Sequence, residues 1–354
     1  MANVTAAGDF CAQPTSASFV AQACFLVFIT VTTLLGNISV CLTVLLNSSL
    51  HTFTSYLVAS LACSDLLVAT LSLPFRISQT LHNTRWCLSE EACVFWVWAD
   101  LFCCCASIGN LALISVDRFL ATKYPLRYHL IVTRKTSWLM LSSVWIYSLI
   151  VASSGLTNWT VPSGALVETN HGCYKPDRYF YTFAAVVGFF LPLSIIVCAY
   201  CYIFKIALDH VRAISKITMI VLPSIPQSKE NNQTLFKQQL KATKTLAIVV
   251  GAFVICWMPT FVIILIQSWC QSCLNSQQNP KLKGFFSFIN VAFVYTLPNI
   301  NSAINPFIYV VFSKDLRQAV IKTFKGLYQE ICDIRSARTN PEITSLTWYH
   351  SFSW

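Results

Sequence analysis

Long apolar stretches separated by short charged segments are the dominant pattern of this chain. No Asp, Glu, Lys or Arg occurs in residues 10–64, 136–167, 179–204, 245–280 or 284–313. About 20 apolar residues in a helix span the hydrocarbon core of a bilayer, because each residue rises by roughly 1.5 Å. The pattern therefore predicts an all-α membrane protein, a bundle of seven transmembrane helices at about residues 20–46, 53–81, 92–122, 136–158, 179–206, 239–268 and 284–312.

The predicted helices divide the chain into three parts. Residues 1–19 form an N-terminal tail, residues 20–312 the transmembrane bundle, and residues 313–354 a C-terminal segment outside the bundle. Because the first residues lack the charged and apolar regions of a signal peptide, we expect the first helix to direct membrane insertion itself.

Composition supports a membrane protein and excludes an ordinary soluble enzyme. Only 11% of the 354 residues are charged and 55% are hydrophobic, whereas about 25% of the residues of a soluble domain are charged. The net charge of +10 does not indicate a nucleic-acid partner, because the cations lie in short blocks rather than on one solvated face.

The positions of the basic residues predict the orientation of the bundle. Of the 24 Lys and Arg residues, 18 fall on one side of it, which the positive-inside rule makes cytoplasmic. The N-terminus then lies outside a plasma membrane. Two glycosylation motifs, at Asn3 and Asn158, fall on the same outer side.

Ionisable residues at membrane depth are energetically costly, and each is a candidate functional residue. Asp100, in the third predicted helix, lies at the depth of a cavity open to the outside. Two interpretations remain open for it. The carboxyl is paired with Arg76 of the second helix or with a polar neighbour, or stays protonated, or else it is a site for the ammonium group of a ligand.

Two further sites carry charge within the bundle. Asp65 has no basic residue at its depth, and we expect either a structural hydrogen-bond cluster or a small cation, a candidate sodium ion, held with Ser107, Asn301 and Asn305. At the end of the third helix Asp117 precedes Arg118, where the acid either holds the guanidinium in a switch or the pair is a simple anchor at the membrane surface.

Other classes of function are poorly supported. The chain has no P-loop, GxSxG or HExxH motif, and no predicted span has a histidine near its centre, so we expect no enzyme. A transporter or channel is only a remote alternative. Many transporters contain internal repeats, and we find none in this sequence. A retinal-binding protein would need a lysine in the seventh helix, and residues 284–313 contain none.

A series of short motifs, one or more on each predicted helix, resembles the rhodopsin-like (class A) G-protein-coupled receptors. The resemblance covers about residues 20–325. It is carried by Gly36-Asn37, Leu61-Ala62-Cys63-Ser64-Asp65, Asp117-Arg118-Phe119, Trp145, Pro192 with Tyr200, Cys256-Trp257-Met258-Pro259 and Asn305-Pro306-Phe307-Ile308-Tyr309.

The resemblance implies roles for particular residues and partners. It implies an extracellular cationic ligand, a heterotrimeric G protein, arrestin and membrane lipid as partners, and no cofactor apart from the candidate sodium ion. Disulfides are implied at Cys93–Cys173 and Cys270–Cys273, a short amphipathic eighth helix at Lys314–Lys325, and lipidation at Cys332. The implied ligand-binding residues are Asp100, Cys104, Phe189, Trp257, Phe261 and Tyr295, and the implied activation switches are Asp117, Arg118, Tyr200, Phe253, Trp257, Asn305, Pro306 and Tyr309.

Within this family the placement of Asp100 is similar to that in the biogenic-amine and trace-amine receptors, where a carboxylate binds the ligand ammonium. Catecholamine receptors have hydroxyl groups in the fifth helix, whereas this chain has Ala184, Ala185 and Gly188. The resemblance therefore implies an aromatic or apolar-tailed amine rather than a catecholamine. A receptor for a peptide with a basic group is the remaining alternative within the family.

Overall fold

The computed structural model of the chain describes residues 11, 14–159, 167, 172–220, 227–270, 289–312 and 314–339. Over most of residues 207–246, over 333–339 and at a few single positions, Tyr295 among them, it describes the backbone only.

The described chain consists of long helices joined by short turns. The first four are α1 (Ala17–Leu46), α2 (Phe53–Leu81), α3 (Glu90–Lys123) and α4 (Arg134–Ser153). Helix α5 comprises Arg178–Ala185 and Leu191–Ile220, joined by a π turn. After it come α6 (Gln227–Trp269), α7 (a π turn at Asn290–Thr296 and then Leu297–Phe312) and α8 (Lys314–Thr339).

This architecture confirms the predicted fold class, a seven-transmembrane helix bundle. Within the described residues, α1 to α6 are each long and apolar enough to cross a membrane, and α7 packs between α1 and α6. The outer start of the predicted seventh span, before residue 289, lies outside the described residues.

Three helices extend beyond their predicted bounds, each on the side predicted to be cytoplasmic. Helix α5 continues to Ile220 instead of ending near 206, and α6 begins at Gln227 instead of 239. Helix α8 runs to Thr339 rather than ending at Lys325. The prediction ended each span where charges begin, but Lys, Gln, Glu and Leu are strong helix formers in water as well. These helices therefore continue beyond the predicted spans.

Helix α3 forms the centre of the bundle. It packs against α2, α4, α5 and α6, and 72% of its most apolar segment is buried, compared with 28% for α1. Small side chains make this possible, because they let neighbouring helices approach closely. Gly109 illustrates the closeness: a β-carbon there would lie 2.8 Å from Val144 of α4.

Three transmembrane helices contain a π turn, and each turn ends two residues before a proline. The turns are Val68–Ser72 in α2, Val186–Phe190 in α5 and Asn290–Thr296 in α7, and the prolines are Pro74, Pro192 and Pro298. Proline has no N–H and its ring crowds the carbonyl four residues earlier. The wider turn accommodates that crowding, and it frees backbone carbonyls that need other donors.

Side chains from neighbouring helices supply donors to two of these turns. The Tyr147 hydroxyl of α4 donates to the carbonyl of Val187 in α5, at 2.5 Å. The Thr260 hydroxyl of α6 donates to the carbonyl of Phe293 in α7, at 2.6 Å. Both irregular turns are therefore held by hydrogen bonds between helices, so the outer halves of α5 and α7 are fixed to α4 and α6.

Two disulfides have both of their cysteines among the described residues, and both lie at the predicted outer face. Cys93 at the start of α3 is bonded to Cys173 in the second outer loop, as the family resemblance implied. A second disulfide, Cys11–Cys87, ties the N-terminal tail to the loop between α2 and α3, and sequence analysis missed it. The signal was available: six cysteines lie on the predicted outer side, and the two predicted bridges leave Cys11 and Cys87 as a pair.

We predict that Gly36→Ala destabilises the bundle. A β-carbon at Gly36 of α1 would lie 2.8 Å from the ring of Pro306 in α7, and a proline ring within a helix has little room to move. Overpacking of this kind costs about 1–3 kcal/mol. A thiol-reactive dye that labels the buried Cys103–Cys105 as detergent-solubilised protein unfolds will measure the loss as a lower melting temperature.

Gly251→Ala in α6 is the matched control, because nothing lies within 4 Å of a β-carbon at that position. The alanine should be neutral or stabilising by up to ~1 kcal/mol through helix propensity. Equal melting temperatures for the two variants would contradict the close approach of α1 and α7.

Candidate functional site

A cavity of about 1140 Å³ lies between the outer halves of α2, α3, α5, α6 and α7, beneath the second outer loop. It is large enough for a small organic ligand, since pockets for such ligands typically measure about 300–1,000 Å³. Four of the predicted ligand-binding residues line it: Asp100, Cys104, Trp257 and Phe261.

Asp100 lies in the wall of this cavity with a hydroxyl group as its hydrogen-bond partner. Ser72, the last residue of the π turn in α2, donates to its carboxylate at 2.5 Å. In the described part of the chain no ion pair joins Asp100 to Arg76, and the partner of the carboxylate is a polar neighbour, the other partner that the sequence left open. The Arg76 guanidinium instead stacks on Trp96 of α3 and donates to the side chain of Gln79 in α2.

The inner end of the cavity is formed by stacked aromatic rings. Trp257 and Phe261 face the cavity, whereas Phe189 is fully buried and stacks on Phe261 with ring centroids 4.4 Å apart. Phe253 lies one layer deeper, 6.0 Å from Trp257. The structure therefore places Phe189 behind the cavity wall rather than in it, contrary to the prediction that it contacts ligand.

The side of the cavity formed by α6 and α7 differs from the predicted site. The side chain of Tyr295 lies outside the described residues. Asn299, one turn further along α7, is buried and lines the cavity, as does Thr260. Thr260 was not predicted as a site residue because its role, holding the π turn of α7, depends on a contact between two helices.

The outer part of the cavity carries several charged groups. Arg76, Lys175 and Arg178 line it together with Asp177, which caps the start of α5. The Lys175 ammonium is buried and donates to the carbonyl of Gly155 at 3.0 Å. Burial lowers the pKa of Lys175, and the nearby Asp177 partly opposes that shift.

A buried polar cluster surrounds Asp65 in the middle of the bundle. One carboxylate oxygen accepts from the Asn305 amide at 2.9 Å. The other, and the side-chain oxygens of Asn301 and Asn305, are buried without a hydrogen-bond partner. Ser107 instead shares a 3.1 Å hydrogen bond with Ser64. Unpaired acceptor oxygens around a carboxylate are the ligands that hard cations prefer.

At the end of α3 that the sequence predicts to be cytoplasmic, Arg118 is held by its neighbour Asp117. The guanidinium donates to one carboxylate oxygen through Nε and Nη2, at 3.1 and 2.5 Å. The same oxygen accepts from Thr54 of α2 at 2.8 Å, and Arg118 also donates to the Thr54 hydroxyl. The Tyr128 hydroxyl donates to the other oxygen at 2.5 Å.

Thr54 and Tyr128 were not predicted, because no local sequence pattern indicates that they meet Asp117. Burial, followed by the Asp117 charge, raises the pKa of Tyr128, so its hydroxyl stays protonated as a donor. The hydroxyls of Tyr200 and Tyr309, predicted as switches, are buried without a hydrogen-bond partner. In this conformation Arg118 is bound to Asp117 and not to Tyr200.

The remaining predicted sites that the structure describes lie outside the central part of the bundle. Asn158 is exposed and Cys332 is an exposed free thiol on α8. Cys270 is disulfide-bonded. Asn3 and Cys273 lie outside the described residues.

The described structure is a helical bundle with a cavity towards one end and a charged pair at the other. Residues 36–309 match the family described as 7 transmembrane receptor (rhodopsin family). The chain belongs to this family, and with it to a class of receptors rather than enzymes.

Similar proteins are amine receptors by name. The chain is 29% identical to the octopamine receptor beta-2R of Chilo suppressalis, over 93% of its own length and 85% of that protein. It is 33% identical to the alpha-1A adrenergic receptor of Rattus norvegicus and 31% identical to the octopamine receptor beta-1R of Drosophila melanogaster. These matches cover 80% and 86% of the chain, which spans 63% and 62% of the lengths of those two relatives.

We predict that Tyr128→Phe raises ligand-independent signalling. The substitution removes the hydrogen bond from Tyr128 to the Asp117 carboxylate. Because this bond is present in the conformation in which Asp117 holds Arg118, its loss destabilises that conformation selectively. A net loss of ~1 kcal/mol corresponds to about a fivefold increase in the population of the alternative conformation. Nucleotide exchange on a G protein in membranes, without ligand, measures the change.

Tyr124→Phe is the control for this experiment, because Tyr124 is exposed and forms no hydrogen bond to Asp117. It should leave basal exchange unchanged. If the basal rate of nucleotide exchange is the same in both variants and in the wild type, Tyr128 has no role in the switch.

Proposed function

We propose that this protein is a plasma-membrane receptor that binds an extracellular amine and activates a heterotrimeric G protein. The observation that carries the proposal is Asp100, a carboxylate in the wall of an outward cavity whose hydrogen-bond partner is a neutral hydroxyl. A ligand ammonium would supply the countercharge that such a carboxylate favours. The octopamine and adrenergic receptors among the relatives support the same ligand class.

The α5 side of the cavity favours an aromatic or apolar amine over a catechol. Ala184 lines this side, and Ala185 and Gly188 are buried behind it. A catechol hydroxyl buried against methyl groups would lose about 1–3 kcal/mol of hydrogen bonding to water. Trp257 and Phe261 at the inner end would instead pack against an aromatic ring.

Activation follows as a shift between two conformations. The bonds among Asp117, Arg118, Thr54 and Tyr128 stabilise a resting state with a closed cytoplasmic end. An amine that binds more tightly when α6 has moved outward raises the population of the open state. A G protein bound near Arg118 would then raise amine affinity by thermodynamic linkage, and arrestin would compete for the same end of the bundle.

The cluster around Asp65 suits a sodium ion. The partnerless oxygens of Asp65, Asn301 and Asn305 would provide one charged and two neutral ligands. A bound sodium ion would supply positive charge beside the buried carboxylate and so favour the conformation in which this cluster is intact. We also infer glycosylation at Asn3 and Asn158 and lipid attachment at Cys332, with α8 at the inner membrane surface.

We predict that Asp100→Asn abolishes most of the response to a small amine such as 2-phenylethylamine. The substitution keeps an acceptor for Ser72 but removes the charge, so a charge-assisted contact in a dry cavity is lost. Potency should fall about 100-fold or more, which corresponds to roughly 2.7 kcal/mol. Second-messenger dose–response curves in cells that carry an epitope tag for surface expression measure the effect.

Glu91→Gln removes the same charge from an exposed position at the outer end of α3 and should leave potency unchanged. If Asp100→Asn matches this control, the amine function is wrong. A basic peptide that retains its potency on Asp100→Asn would count against the proposed site in the same way.

We predict that Asp65→Asn removes the effect of sodium on agonist binding. In the wild type, replacing sodium chloride by N-methylglucamine chloride at constant ionic strength should raise agonist affinity several-fold, because sodium favours the resting state. In Asp65→Asn the two salts should give the same affinity, since the only charged ligand is gone. Ser78→Ala, in the outer part of α2, is a control that should keep the sodium effect.

A further inference from the structure

A second polar site lies in the same cavity, about one helical turn further out than Asp100. Arg76, Gln79 and Trp96 line this part of the cavity, between α2 and α3. We refer to these three residues as the α2–α3 subsite.

The position of the subsite follows from the helix register. Ser72 of α2 is hydrogen-bonded to Asp100 of α3. Arg76 comes four residues after Ser72, and Trp96 comes four residues before Asp100, so each lies about 6 Å further towards the outside. The two meet there, with the Arg76 guanidinium 4.5 Å from the centroid of a Trp96 ring.

Hydrogen-bond donors dominate the α2–α3 subsite. Trp96 is 4% exposed, and its indole Nε1–H is buried without an acceptor. Arg76 contributes a guanidinium, which has donors and no acceptor. The side-chain oxygen of Gln79 already accepts from Arg76 at 3.3 Å, and its amide nitrogen donates to the carbonyl of Thr84 at 3.2 Å. A buried indole N–H beside a guanidinium favours an anion or a strong acceptor.

The rest of the cavity opening has the same charge character. Lys175 and Arg178 line the outer part with Arg76, against the carboxylate of Asp177. Among the described residues of this opening, positive groups outnumber negative ones along the path of a simple monocation towards Asp100. A ligand with a negative group as well would meet complementary charge at both levels.

Resting on the proposed amine function, we propose that the preferred ligand is zwitterionic. Its ammonium group binds Asp100, its aromatic or apolar group packs on Trp257 and Phe261, and its carboxylate or other acidic group binds Arg76 and the indole N–H of Trp96. Because Asp100 and the subsite are about one turn apart, the acidic group belongs on a short branch close to the ammonium nitrogen, as in a β-amino acid with an aromatic side chain.

The test compares two probes that differ in one negative charge, 3-amino-4-phenylbutyric acid and its methyl ester. On the wild-type receptor the acid should be about tenfold more potent than the ester. On Arg76→Gln this preference should shrink to within about twofold, because the variant loses the cation and keeps a polar side chain. On Arg76→Glu the ester should become the more potent probe. The ratio of two probes on the same cells is independent of surface expression.

Arg178→Gln is the matched control, since it removes one cation from the rim of the same cavity, where Arg178 stacks on Tyr179 and Trp269. It should leave the acid-to-ester ratio near its wild-type value. An equal loss of preference in Arg178→Gln and Arg76→Gln would overturn the subsite, because it would show a general effect of charge at the opening.

Other outcomes separate this proposal from the amine function itself. If 2-phenylethylamine acts through Asp100 while the acid is inactive or weaker than the ester, the amine function stands and the zwitterion proposal is wrong. If the potency of neither the amine nor the acid depends on Asp100, both the amine function and the zwitterion proposal are wrong.

Discussion

Backbone hydrogen bonding in an apolar solvent is the constraint on which this bundle depends. Lipid offers no donors or acceptors, so each carbonyl released from a transmembrane helix must find a partner within the protein. The Leu-Pro pairs of α2, α5 and α7 release such carbonyls and widen the preceding turn. Tyr147 and Thr260 then donate across helices. A carbonyl released in one helix therefore forms a fixed hydrogen bond with a second helix.

The same constraint determines where the polar and charged groups of the cavity lie. Ser72 reaches Asp100 from the last position of a π turn, and the next turn of α2 brings Arg76 over Trp96. A carboxylate and a guanidinium thus line one cavity without pairing with each other in the described structure. A ligand ammonium that approaches Asp100 therefore has no ion pair between these two residues to break first.

The sequence was sufficient for the architecture because the apolar spans are long and their charges few. It located Asp65, Asp100 and Arg118 because charge at membrane depth is rare enough to identify directly. It failed where the answer depends on which residues of different helices meet. The pairing of Asp100 with Ser72, the bonds of Thr54 to the cytoplasmic pair and the position of Phe189 behind the cavity wall are all of that kind.

The π turns also make the lining of the cavity adjustable. A π turn inserts extra backbone, and each added residue advances the helix by about 100°. If one of the turns shifted or closed by a residue, the whole outer half of that helix would rotate and present a different set of side chains inward. A small insertion or deletion near Pro74 could therefore replace Arg76 at the cavity wall without mutating it. The specificity of such a receptor therefore depends on helix register as much as on residue identity.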